Sequence, residues 1–142
     1  MNINKIFSKF ENDNETEDDD SIDGTHPYIL SGLICKVINN LDNYILDLYT
    51  QENRGKIDSK KYKQYYETCR QILFEDCYEK LISIDINSVI SVESILRHPK
   101  NNFSRALHIM LSHYEKLEEY GKCKEIKSFE DNYKKIVENL EG

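Results

Sequence analysis

The chain has 142 residues, 39% hydrophobic and 32% charged, with only five glycines and two prolines. That length suits one domain with its own core, and the hydrophobic share excludes wholesale disorder. Scarce Gly and Pro argue against tight-turned sandwiches and barrels and for long helices. The net charge of −7 is unevenly spread: residues 1–24 hold two lysines against eight acidic side chains, whereas residues 25–142 hold 17 basic and 18 acidic ones.

The chain divides accordingly, into an N-terminal arm (1–24) and a helical bundle domain (25–142). Within the arm, Ile3, Ile6, Phe7 and Phe10 fall at i, i+3, i+4 and i+7, one face of a short helix. A lone helix of this length is marginal in water, so it needs a surface to dock on, either its own bundle or a partner. Residues 11–24 include Asp18, Asp19 and Asp20 and a single apolar side chain, Ile22. Too little apolar surface is available there to offset ordering, which predicts a flexible acidic linker.

Pro27 suits a first helical turn, with Thr25 before it as a cap. From there Leu30, Leu33, Ile34, Val37, Ile38, Leu41, Tyr44, Ile45 and Leu48 form one stripe, predicting a single helix to near Tyr49. A polar turn through Gly55 leads to a second long helix, capped by Asp58 or Ser59 and ending near Ser83. Its stripe is Tyr62, Tyr66, Cys69, Leu73 and Cys77, flanked by Tyr65 and Ile72, while Phe74, Tyr78 and Ile82 point elsewhere. A helix apolar on two faces is enclosed by neighbours or covered by a partner.

A shorter helix follows from Ser88 to Arg97, with Val89, Val92, Ile95 and Leu96 expected inward and His98-Pro99 ending it. The next runs from Asn101 or Asn102 to Tyr120 on Phe103, Ala106, Leu107, Met110, Leu111, Tyr114 and Leu117, with Gly121 at its C′ position. The last uses Ile126, Phe129, Tyr133, Val137 and Leu140. Short loops imply antiparallel neighbours, so the fold class is all-α, an antiparallel bundle of four to five helices with a flexible acidic N-terminal arm.

Little in the sequence points to catalysis. Cys35, Cys69, Cys77 and Cys123 lack CxxC spacing and fall on or beside apolar stripes, as buried free thiols do. No Glu precedes a His by three, the one Asp that does, Asp23 before His26, stands ahead of the first helix, and the glycines are isolated, so neither a metal nor another cofactor is expected. An enzyme reading rests on Arg105, His108 and His113 as a ribonuclease-like set. His108 and His113 lie about 140° apart around a helix, which does not place them on one face.

A near-neutral body shows no basic stripe for nucleic acid, and no segment offers the ~18 apolar residues of a membrane span. The expectation is a cytoplasmic, non-enzymatic protein–protein interaction module. An immunity or inhibitor protein, or an adaptor, would fit. Its partner would be a basic protein attracted by the arm, with a second copy of the chain as another occupant. The contact residues expected are Tyr62, Tyr65, Tyr66, Phe74 and Tyr78, together with Asp18, Asp19, Asp20, Ile6, Phe7 and Phe10.

Overall fold

Asn39 and Asn40 divide the longest apolar stripe between two helices. In the computed structural model, which describes residues 25–99 and 101–141, these are α1 (Pro27–Ile38) and α2 (Leu41–Glu52). Asn side chains compete with helical backbone bonding, and here Asn39 Nδ2 donates to the Asn102 carbonyl at 2.9 Å, drawing the break onto a neighbouring segment. Asn40 leaves the helical region at φ −129°, ψ 33°. The stripe nonetheless stays inward across the break, since Val37, Ile38, Leu41, Ile45 and Leu48 are all buried. Periodicity marked the buried face correctly and missed the change of axis.

Four further helices follow: α3 (Ser59–Ile82), α4 (Val89–Leu96), α5 (Asn102–Lys116) and α6 (Tyr120–Glu141). The described residues are all-helical, with six helices in place of the four to five expected. The arm, and with it Ile6, Phe7, Phe10, Asp18, Asp19 and Asp20, lies outside the described residues.

Helix boundaries follow local chemistry. His26 caps α1, its Nδ1 accepting from the Tyr28 amide at 3.1 Å, so the cap is one residue later than Thr25. Asp58 caps α3 by accepting from the Lys60 and Lys61 amides. The end of α5 departs from expectation. Glu118, at φ +58°, is the left-handed residue there, with Glu118 N bonded to Glu115 O and Glu119 N to Tyr114 O, both at 3.0 Å. This is a Schellman closure three residues before Gly121, which instead belongs to the first turn of α6.

The central element is α1, which packs against α3, α4 and α5, while α5 and α6 form a closely packed pair. That position explains why α1 buries a second row, including Cys35. The two apolar faces of α3 have a similar cause. Cys69, Leu73 and Cys77 join the core, and Phe74 lies against His113 and Tyr114 of α5. Neighbours enclose the helix there, whereas Ile82 at its end remains 54% exposed.

Candidate functional site: an apolar face around α4

The short helix α4 is turned against its composition. Ser91, Val92, Ser94 and Ile95 are buried, whereas Val89, Ile90 and Leu96 are exposed, Ile90 by 69%. Val89 and Leu96, expected inward, therefore face solvent. Serine on the inner side allows close approach to α1, where Ser31 is also buried. The hydroxyls are satisfied locally, Ser94 donating to the Ile90 carbonyl at 2.8 Å and Ser31 to that of Pro27 at 2.6 Å.

His98 fixes this docking. Its Nε2 lies 3.0 Å from the Tyr28 carbonyl and 2.9 Å from Ser31 Oγ, and its ring stacks on Tyr28 at 4.4 Å. A carbonyl only accepts, so Nε2 carries the proton. Gly32 makes the approach possible, because a Cβ there would come within 3.0 Å of His98 Cε1.

Two depressions share His98 as a wall. One is a groove of about 490 Å³ between α4, the start of α5 and the last turns of α6, where Leu96, Phe103, Tyr133 and Val137 supply apolar surface. The other, about 380 Å³, is polar and basic, lined by Lys36, Asn39, Asn40, Asn102 and Arg105 beside His98. Exposed Leu140 follows Val137 by three positions on α6, and exposed Ile82 leads into the loop before α4. Three of the exposed apolar side chains, Val89, Ile90 and Leu96, thus lie on α4 itself, while Ile57, Leu117 and Tyr120 are exposed elsewhere.

The residues richest in chemistry lie elsewhere, in a seam joining α3 to α5 and α6. Arg70 Nη1 donates to His113 Nδ1 at 2.9 Å, and the His113 ring stacks on Phe74 with centroids 3.7 Å apart. Arginine only donates, so the ring proton of neutral His113 is on Nε2. Burial first, and the Arg70 charge second, push the His113 pKa down to about 4. Glu75 accepts from Lys122 Nζ at 2.6 and 2.7 Å and from the Tyr114 hydroxyl at 3.1 Å, and the Lys122 ammonium lies over the rings of Tyr78 and Tyr114. Burial raises the Tyr114 pKa, with Glu75 adding to the shift. Each charged or polar group of this seam has a partner within the chain.

The anticipated contact residues are distributed as follows. Phe74 is 0% exposed, sealed between the core and His113, and so cannot meet a partner. Tyr62 and Tyr65 are half-buried and meet the buried Tyr49 ring edge-on, clamping α2 to α3. The Tyr66 hydroxyl donates to Asp42 on α2, and Tyr78 packs edge-on to Tyr114. Most of the ring surface read as available is spent inside the molecule.

The ribonuclease-like set is not assembled. Arg105 lines the basic depression, exposed His108 lies 3.8 Å from Glu130 of α6, and His113 is buried against α3. The thiols of Cys35, Cys69, Cys77 and Cys123 are free and buried, and burial pushes Cys35 to about 11 and Cys69 to about 12. Among the described residues no three His, Cys, Asp or Glu side chains are grouped to hold a metal, and no helix is long and apolar enough to cross a membrane.

The outward apolar face of α4 is a feature that composition and periodicity did not isolate. A weak signal existed, since Val89-Ile90 and Ile95-Leu96 flank two serines in a helix too short to bury both apolar pairs. Comparison with protein-family models, with curated proteins and with solved structures finds no match for this chain.

Proposed function

We propose that this chain is a non-enzymatic protein–protein interaction module, of the adaptor or inhibitor kind, that engages a basic protein through the apolar face around α4. The observation that carries the reading is the orientation of α4, with serines inward and Val89, Ile90 and Leu96 outward. Exposed apolar side chains cost stability in water unless something covers them, and clustered ones mark contact surfaces. The eight acidic side chains of residues 11–24 supply the attraction. They raise the encounter rate of a basic partner, whose apolar contacts then set the lifetime of the complex.

Affinity capture with the full chain at low salt tests this. The expected result is a basic protein retained by the native chain and lost by Ile90→Asp/Leu96→Asp. Substituting Asp18, Asp19 and Asp20 together by Asn should slow association and flatten its salt dependence. Capture indifferent to both sets of substitutions would overturn the reading.

A further inference from the structure

The outward side of α4 reads the same from either end. Val89, Ile90, Glu93 and Leu96 are exposed, as is Arg97, which keeps helical backbone angles at the C-cap. At about 100° per residue, Val89 and Arg97 lie at equal angles on either side of Glu93, and so do Ile90 and Leu96. The exposed set is therefore a stripe about 120° wide centred on Glu93. Reversing the helix about Glu93 exchanges position 89 with 97 and 90 with 96, and returns the same stripe. A two-fold interface requires a surface that fits its own copy in reverse. We infer that the free chain covers this face with a second copy of itself, α4 packing antiparallel on α4 about a two-fold axis at Glu93.

Apolar and charged groups fall into register in that pairing. On one flank Val89 comes beside Leu96 of the second copy, and on the other Ile90 comes beside the aliphatic stem of Arg97 of the second copy. The two Glu93 carboxylates stand nearest the axis and repel each other. Arg97 of each copy lies about one helical turn from both of them, so the seam holds two charges of each sign. Within one chain Glu93 and Arg97 are four positions apart, yet no ion pair joins them, and neither has a charged partner among the described residues. Both are thus available across the axis. Other charges near the face carry both signs: Glu138 and Lys134 on the groove beside Leu96, Lys134 being tied to Glu130 at 3.4 Å, and exposed Asp85 in the loop before α4. They set no field of a single sign against a second copy.

Area decides the strength. A stable interface uses about 20–30 residues a side, whereas this stripe offers Val89, Ile90, Glu93, Leu96 and Arg97. The dimer is therefore weak, forming as concentration rises and giving way to a partner with more surface. It acts as a brake, because the second copy and a partner compete for the same side chains. The inference rests on the proposed role of the α4 face as a contact surface, and not on the identity of a partner.

Sedimentation equilibrium on the full chain alone tests it. The expected mass rises from one chain toward two between dilute and near-millimolar concentration. Ile90→Asp should leave a monomer, whereas Tyr120→Ser, which removes an exposed ring from α6, should change nothing. Glu93→Arg and Arg97→Glu each set like charges across the axis, and each should weaken association by about tenfold or more. Mixed one to one, these two variants should associate more tightly than the native chain, because every cross-axis pair is then of opposite sign. The altered positions are exposed, and far-ultraviolet circular dichroism verifies that each variant stays helical. A native chain that remains monomeric near millimolar concentration would overturn the inference. So would association that ignores Ile90→Asp, or a mixture no tighter than either variant by itself. Such a failure, with partner capture still lost on Ile90→Asp/Leu96→Asp, would leave the face to the partner alone. A dimer with the expected charge dependence, beside capture indifferent to α4, would support the self-pairing and remove the partner reading.

Discussion

The seam between α3, α5 and α6 and the face around α4 are opposites in chemistry and in what they leave unsatisfied. The seam concentrates Arg70, Glu75, His113, Tyr114 and Lys122, the kinds of group from which active sites are made, and pairs them with one another. The α4 face carries plain aliphatic side chains, and leaves them in water. An ionisable cluster whose members are bonded internally holds helices together, whereas aliphatic groups without a neighbour imply a missing one. Reactive residue types here mark packing between helices, and the unburied surface on α4 is aliphatic.

Four measurements sharpen or break that contrast. Phe74→Ala should be the most damaging, destabilising by about 3–5 kcal/mol in chemical denaturation, because it empties a fully enclosed site and removes the stack under His113. A loss under about 1 kcal/mol would mean the seam is looser than its geometry.

Acidification comes next. The ordinary His value is 6.5 and that of folded His113 is about 4, so between them the unfolded chain binds a proton that the folded chain refuses. Stability is therefore unaffected above about pH 6.5 and falls as the pH drops toward 4, by about 2 kcal/mol between pH 7 and pH 5. His113→Gln should remove most of that slope, and an unchanged slope would assign it to other groups.

Tyr114→Phe should cost about 1 kcal/mol through the lost hydrogen bond to Glu75, with the ring packing preserved. The smallest effect belongs to the other region. Ile90→Ser should stay within about 0.5 kcal/mol of the native chain, because the side chain already lies outside. A substantial destabilisation there would show that Ile90 supports the fold, and the contrast between the regions would fail.

The fold class, the α3 boundaries and most of the core were legible without coordinates. The inward set of α5, Phe103, Ala106, Leu107, Met110 and Tyr114, is buried as the 3.6-residue period requires. Leu117 is exposed because the helix closes before it, at a left-handed Glu118 that no propensity favours. In the sequence the tyrosines of α3 look like an available surface because a one-dimensional pattern cannot say which neighbour arrives. Tyr49 and Asp42 of α2 take up Tyr62, Tyr65 and Tyr66 only after the break at Asn40 sets the position of α2.

The sequence by itself determined that the body is helical, that its stripes face inward, and that its excess negative charge belongs to one arm. Those properties depend on periodicity and composition, which are local. Tertiary structure alone decided that Phe74 and His113 close on each other, that α4 turns serines toward α1 and aliphatics outward, and that an apolar and a basic hollow meet at His98. Each of these depends on which helix lies against which, and that is settled by packing shape, such as the space left by Gly32 for the His98 ring.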